Sequence, residues 1–442
     1  METVLLYILG VVLIFVGLVV SIGLHEIGHL IPAKKFGVKV GQYMIGFGPT
    51  LFSRKKGETE YGIKAVPLGG YISMAGMYPP AKSGGKARTA STGFFQTLVQ
   101  DARTSSADTV SAGDEHRTFY KLATWKRVVI MLGGPTMNLL IAVVLFGILL
   151  VGFGIPQATT TIGGVSTCVL PATSEKTTCE PDDSASPAAA SGLLPGDRIV
   201  SIDGTAISSS AQATAVIRRS AGDELSVVVE RKGANKTVAV TPLLTERAVT
   251  DEAGTPLKNA DGSLKTTKVG IIGVTFAQAT VQQPVTAVLP AVGDNIVAVT
   301  KVIVTLPQRL VQVGQAAFGG DKRDPNGPIS VVGVGRLAGE ITAEQRFPVM
   351  DRVRTILGML AGLNVALFVF NLIPLLPLDG GHVIGALWEA LRRGLARLFK
   401  RKDPGPVDTA KLVPLTLVIT MVIGASSLLL IYADIVNPVS IL

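Results

Sequence analysis

Residues 4–29 read VLLYILGVVLIFVGLVVSIGLHEIGH. The run from Val4 to Leu24 carries no charge. About 20 apolar residues are what an α-helix needs to cross the ~30 Å hydrocarbon layer of a bilayer. The last five residues, His25-Glu26-Ile27-Gly28-His29, place three ionisable groups at the end of that run. Such groups are costly in lipid, which marks them as functional. On a helix, positions i and i+4 share one face, so both imidazoles can bind one zinc ion. Glu26 then sits beside the metal, where it can take a proton from water whose pKa zinc lowers towards ~7. The stretch reads as a membrane span ending in a metal site, with His25 and His29 as ligands and Glu26 as base.

A catalytic zinc ion takes a third protein ligand and keeps one position open. Nothing suitable follows His29 closely: Lys34 and Lys35 are cations, and Glu58 and Glu60 fall in a polar hairpin. The leading candidate is distant, in NLIPLLPLDGGH from Asn371 to His382. Asp379 is the only acid between Thr355 and Trp388. A lone carboxylate at membrane depth needs a partner, and a zinc ion would satisfy it. Two prolines and paired glycines break the helix there, which is tolerated only where the freed backbone faces protein or water. His382 is the rival ligand, because imidazole also suits zinc.

Composition agrees with a membrane protein. Apolar residues make up 48% of the 442 and charged residues only 17%, too little charge for a disordered chain or a purely soluble one. Aromatics at 5% argue against an outer-membrane barrel. Further uncharged stretches run from Val128 to Ile155, Thr355 to Leu378 and Leu412 to Ala433. The expected architecture is thus a polytopic α-helical membrane protein with about four spans. A secretory signal peptide is not expected, since Glu2 precedes the first span, no Lys or Arg does, and no small-residue cleavage site follows. The net charge of +9 comes mostly from clusters flanking spans, which is a topology signal rather than a nucleic-acid one. Lys34, Lys35, Lys121, Lys126, Arg127 and the six basic residues from Arg392 to Lys402 all fall on one side if both termini lie outside. Arg352 and Arg354 are a weaker contrary signal. Pro284 to Leu306 is interrupted by Asp294 and Lys301. It is expected to be an amphipathic helix on the outer surface.

Between the spans, Val38 to Met77 is punctuated by Gly and Pro, partly alternates and reads as strands. Lys82 to Arg117 is rich in Gly, Ser, Thr and Ala and reads as a flexible inner loop, with His116 a solvated histidine. SPAAASGLLPGDRIVSIDGTAI, Ser186 to Ile207, resembles the bacterial PDZ signature: a small-residue helix, a turn at Gly192, a Pro-Gly-Asp turn, a strand and an Asp-Gly turn. Cys168 and Cys179 lie in a Thr/Pro-rich insertion at the start of that segment. If it lies outside, the compartment permits a disulfide between them.

Taken together, the motifs make the chain resemble the site-2 proteases, zinc proteases that cut within the membrane, and in particular the PDZ-containing RseP type. HEIGH and NLIPLLPLDGGH match the family's HExxH and NxxPxPxLDGG motifs, with Leu376 where some members carry a tighter Pro-x-Pro. Gly46-Phe47-Gly48-Pro49 and Val66 to Tyr71 resemble its membrane-reentrant β segment. GGPTMN, Gly133 to Asn138, resembles its second-span motif, and Gly327-Pro328-Ile329-Ser330 also matches. The resemblance implies one Zn2+ ion held by His25, His29 and Asp379, with Glu26 as base. It implies that Asn138 and Asn371 lie near the substrate or oxyanion, the alternative being hydrogen bonds between helices. It implies that Gly69 and Gly70 shape a strand that pairs with unwound substrate, although they can also be turn residues only.

The expected division is 1–37 first span, 38–80 reentrant β segment, 81–124 inner loop, 125–156 second span and 157–245 PDZ domain. It continues with 246–350 outer linker bearing the amphipathic helix, 351–390 third span, 391–411 basic inner loop and 412–442 fourth span. The implied substrates are single-span membrane proteins such as anti-sigma factors and remnant signal peptides, with the lipid bilayer and a PDZ ligand as further partners and no nucleic acid. The implied place is the cell membrane, with the active site towards the cytoplasm and the PDZ domain outside. A transporter is disfavoured by the lack of inverted repeats among the spans.

Overall fold

The computed structural model describes residues 1–79, 94–111, 113–171, 174, 178–180, 183–249, 257, 259, 263–320, 323–324 and 327–439. In chain order its elements are α1 (Glu2–Lys35), β1 (Val40–Lys56), β2 (Thr59–Met74), α2 (Phe94–Asp108), α3 (Thr124–Gly147), β3 (Ile155–Val165), α4 (Pro187–Ser191), β4 (Arg198–Ile202), β5 (Thr205–Ala206) and α5 (Ser210–Arg219). They continue with β6 (Leu225–Arg231), β7 (Ala234–Val240), β8 (Leu243–Ala248), β9 (Thr266–Ile271), β10 (Val274–Val281), α6 (Val288–Val304), α7 (Leu306–Gly319), α8 (Val331–Ala343), α9 (Val349–Asn371), α10 (Asp379–Leu398) and α11 (Val413–Val436). The chain divides into two compact units, one of residues 1–152 with 284–442 and one of 153–283.

The larger unit is built on α1, which packs against α3, α8 and α9. Small residues make these approaches close. A Cβ on Gly28 would lie 2.3 Å from the Gly133 carbonyl oxygen, and one on Gly133 would lie 2.0 Å from that of Gly28. Gly10 meets the Ala338 carbonyl of α8 in the same way. Within lipid there is no hydrophobic drive between helices, so close backbone packing of this kind is a main source of association. A side-chain bond adds to it: the Asn364 amide donates to Ser21 Oγ at 3.0 Å, between α9 and α1. Among the described residues, five helices are long and apolar enough to cross a membrane. Four correspond to the expected spans. The fifth, Val285–Val304, covers the stretch expected to lie on the surface; it packs on α3 and α9, with Asp294 and Lys301 both exposed.

Each of β1 and β2 bends back across its partner. Gln42 to Ile45 is paired on both sides, with Glu60 to Ile63 and with Gly70 to Ser73. Gly46 and Gly48 make the bend, at φ +93° and +85°, a region that suits glycine. One outer edge of this sheet is therefore the second half of β2.

The third expected span is not one helix. α9 ends at Asn371, and α10 begins at Asp379 after a turn-rich connection with a cis Leu376–Pro377 bond. Pro374 and Pro377 lack the N–H donors a continuous helix needs. Part of the expected inner loop, Lys82 to Arg117, lies outside the described residues, and its described part carries α2. Composition hid this helix because its anchors are tertiary: Arg103 pairs with Asp408, the Tyr78 N–H donates to Ser106 Oγ, and that of Gly76 donates to Thr109 Oγ1. His116 is exposed, as expected.

The smaller unit runs to Gln283 rather than ending at 245. The reason is that β10 pairs with β3, the first strand, so the sheet cannot close without the later segment. Its sheet has the order β10-β3-β4-β6-β7, with β5 on β4, and β8 and β9 form a separate pair. Ile162, Leu193, Ile199, Ile202, Val227 and Val229 fill the core. Ser186 caps α4 and Gly192, at φ +78°, ends it. Cys168 and Cys179 are joined in a disulfide with Cα atoms 5.9 Å apart.

In this unit the buried Asp197 accepts both Arg231 Nε at 2.7 Å and Nη2 at 2.6 Å, together with the Leu194 N–H at 2.9 Å. The guanidinium holds the Asp197 carboxyl below its ordinary range. Because the folded value is depressed, the stabilisation is complete above the unfolded value near ~4 and is lost as pH falls from there through the folded value. Asp197→Asn is expected to cost about 1.5–3 kcal/mol at neutral pH and to flatten the acid dependence of this unit. Hydrogen exchange of β4 and β6 amides, corrected for intrinsic rates, measures both, and identical acid sensitivity in the two proteins would refute the assignment.

Candidate metal centre

The HExxH residues lie on α1, about 9–15 Å from its Lys34–Lys35 end at 1.5 Å per residue. His29 and Glu26 are buried. The Nδ1 of His29 lies 2.8 Å from the carbonyl oxygen of Ile130 on α3. A carbonyl only accepts, so Nδ1 carries the proton and Nε2 presents its lone pair. That Nε2 lies 3.1 Å from His25 Nε2.

Asp379, the first residue of α10, brings Oδ2 to 3.3 Å from both imidazole Nε2 atoms. It reaches them because the chain breaks after α9 and restarts at this point. Two glycines make the restart tight: a Cβ on Gly380 would meet the Ile373 oxygen at 2.4 Å, and one on Gly381 the Leu376 nitrogen at 2.5 Å.

Among the described residues, His25, His29 and Asp379 form the group of side chains placed to hold a metal ion. Asp379 Oδ2 and His25 Nδ1 are buried with no hydrogen-bond partner. The lone pair of His29 Nε2 and the Asp379 carboxylate thus converge with His25 Nε2, and a cation would be bound by all three once His25 carries its proton on Nδ1. The spacing suits zinc: bonds of 2.0–2.1 Å in a tetrahedron put ligand atoms about 3.3 Å apart. The His25 and Asp379 side chains remain 12% and 17% exposed, against 6% for His29, so the opening for water and substrate is on their side. His382, on α10, is not in this group.

Gly134 completes the cradle. A Cβ there would sit 2.2 Å from His29 Nε2 and 2.6 Å from His25 Nε2, in the space between the donors. Its GGPTMN motif is visible in the sequence but this role is not, because a glycine pair in an apolar span gives no sign of which face it presents. Gly70 of β2 lies against the catalytic candidate: a Cβ there would meet Glu26 Cγ at 2.8 Å. Gly69, at φ +130°, lies under the Phe47 ring, whose Cε2 would be 2.4 Å from an added Cβ. The edge half of β2 is thereby brought to Glu26.

The two asparagines differ. Asn138 is fully buried, one helical turn beyond Gly134 on the same face, and neither its Oδ1 nor its Nδ2 has a partner. Asn371 ends α9 and donates from Nδ2 to the Leu367 oxygen of its own helix at 3.0 Å.

Comparison with known proteins agrees with this centre. The profile of peptidase family M50 matches residues 13–402. The zinc metalloprotease Rip1 of Mycobacterium bovis is 35% identical over 443 residues, covering 98% of this chain and 99% of the relative. Rip1 of Mycolicibacterium smegmatis is 35% identical over 452 residues, covering 98% of each. The metalloprotease MmpA of Caulobacter vibrioides is 27% identical over 392 residues, covering 86% of each. With the family's match spanning most of its length and relatives alike over nearly all of it, the chain belongs to peptidase family M50, the site-2 proteases, and is a zinc metalloprotease.

Proposed function

We propose that the enzyme hydrolyses peptide bonds inside the bilayer, in the transmembrane segments of single-span membrane proteins. The observation that carries this reading is the position of the histidine pair, within a 34-residue helix whose preceding run is free of charge. In this reading His25, His29 and Asp379 hold the zinc ion. When bound, zinc supplies a Lewis acid that lowers the pKa of water and polarises a carbonyl. Glu26 accepts the proton from the attacking water as its oxygen bonds to the carbonyl carbon, then gives that proton to the leaving amide nitrogen as the C–N bond breaks. Burial of Glu26 and His29 limits bulk water around the reacting groups.

A transmembrane helix hides its peptide bonds, so substrate must unwind before it is cut. The exposed edge of β2 beside Glu26 offers the backbone partners for such an extended segment. Asn138, buried and without a partner, is assigned to bind a substrate oxygen. Asn371 is assigned a place near the segment's entry, and Gly69 and Gly70 keep that edge close to the base.

The smaller unit is read as a PDZ domain outside the cell membrane, with the active site towards the cytoplasm. The basic ends of α1 and α3 and the basic stretch after α10 support this orientation. Four crossings are favoured, with α6 not a net crossing, because α8 lies against the N-terminal half of α1 at Gly10 and Tyr7. Anti-sigma factors and remnant signal peptides are the substrate classes implied, with the PDZ unit binding a new C-terminus or excluding bulky proteins.

The ligand set is tested by metal content. Glu26→Gln is expected to keep one zinc ion per chain and lose cleavage of a single-span substrate by about 10³-fold or more. Asp379→Ala is expected to lose zinc, and His382→Ala to keep it. Zinc loss in the last variant and retention in the former would transfer the ligand role to His382.

The cradle is tested separately. Gly134→Ala places a methyl group between the two imidazoles and is expected to abolish zinc binding while leaving the protein folded and membrane-inserted. Wild-type zinc content and turnover in that variant would remove Gly134 from the site.

A further inference from the structure

α10 has an amphipathic pattern of inverted sense. Ile384, Leu387, Trp388, Leu391, Leu395 and Leu398 are all exposed, at 45–74%. At 100° per residue they fall within an arc of about 100°. Glu389 and Arg393 lie on the opposite side of the helix. That side faces the protein: the buried Glu389 carboxylate accepts Arg127 Nη2 of α3 at 2.7 Å and Nη1 at 3.1 Å, and the Val407 N–H at 3.0 Å. A helix in water turns its charge outward; this one turns charge inward and large apolar side chains outward.

Past its end the helix is strongly basic. Arg397, Lys400, Arg401 and Lys402 are exposed and make no ion pair among the described residues. Arg392 and Arg393 are held by the following loop, through the Pro404 oxygen at 3.3 Å and Asp403 at 3.4 Å. A basic stretch alone would serve only to orient the protein. It would not need an apolar stripe running to the same end. Nor does α10 qualify as a spanning helix by length and composition. An outward apolar face ending in unpaired cations is the surface that an anionic leaflet complements: acyl chains take the stripe and phosphates take the cations.

We propose that α10 lies in the inner leaflet through this stripe, its basic end bound to anionic phospholipid, and that this docking holds Asp379 at the histidine pair. The link is short, since Asp379 is the first residue of the same helix. The helix is fixed on one side by Arg127 and Glu389, and lipid fixes it on the other. Lipid composition then sets how firmly the third ligand is held. This regulation rests on the proposed roles of His25, His29 and Asp379, whereas the docking itself does not.

Two measurements test it on the full chain in nanodiscs. First, nitroxide labels are placed at Leu395→Cys and Leu398→Cys; the two native cysteines are already bonded to each other. Both labels are expected to collide more with oxygen than with a water-soluble nickel chelate. Labels open to the chelate would mean the helix end stands in water, and labels shielded from both reagents would mean a protein partner covers it; either result overturns the docking. Second, zinc retention against a chelator is compared in discs of phosphatidylcholine alone and discs also containing phosphatidylglycerol. Anionic lipid is expected to slow zinc loss several-fold. The combined Arg397→Gln, Lys400→Gln, Arg401→Gln and Lys402→Gln variant is expected to behave in both discs as the wild type does without anionic lipid. Zinc loss that ignores lipid charge, or a variant that still responds to it, overturns the coupling to the site. Failure of the proteolytic reading would appear as absent cleavage, with label depth and zinc retention still readable.

Discussion

Everything at the metal centre depends on the distance at which α1 and α3 cross. Gly28 and Gly133 let the two backbones touch, and Gly134 follows at the point where the imidazoles converge. The crossing puts the Ile130 carbonyl within reach of His29 and so fixes which ring nitrogen faces the metal. A methyl group on any of these glycines would clash with backbone or ligand atoms. Packing small residues in a membrane and orienting metal ligands are thus one constraint here, met by the same residues.

The local part of the centre was legible in the sequence because it follows from helical periodicity alone. His25 and His29 share a face whatever surrounds them. Asp379 could be singled out for a different reason: a carboxylate alone in an apolar stretch has no stable state without a partner. Other features depend on tertiary contact and leave no local mark. The role of Gly134 needs the crossing of two helices. α2 is anchored by Arg103, Ser106 and Thr109, not by an apolar stripe. The smaller unit extends to Gln283 because its last strand pairs with its first, and no composition change announces where a sheet closes. The double-sided pairing of Gln42 to Ile45 is likewise invisible to a pattern of alternation, which reports faces and not neighbours.

Charge is distributed according to what each part of the chain faces. In the smaller unit Asp197 and Arg231 follow the rule of soluble domains, a buried carboxylate satisfied by a guanidinium and a backbone N–H. In α10 the pair Arg127–Glu389 is buried on the protein side, while the apolar side chains are left outward. A buried pair of this kind adds little net stability compared with apolar packing, but removing one partner is costly. Its effect is geometric: it sets the rotation and depth of the helix whose first residue is Asp379.

The separation of the ligands along the chain has a consequence for biosynthesis. His29 and Asp379 are 350 positions apart, and the break after α9 that presents the acid is among the last structures made. On that proposed ligand set, the histidine pair is made early, when it lacks a third donor and would bind metal weakly. The smaller unit and most of the helices are translated before Asp379. On the ligand set proposed above, a nascent chain therefore stays without its reaction centre until translation reaches Asp379.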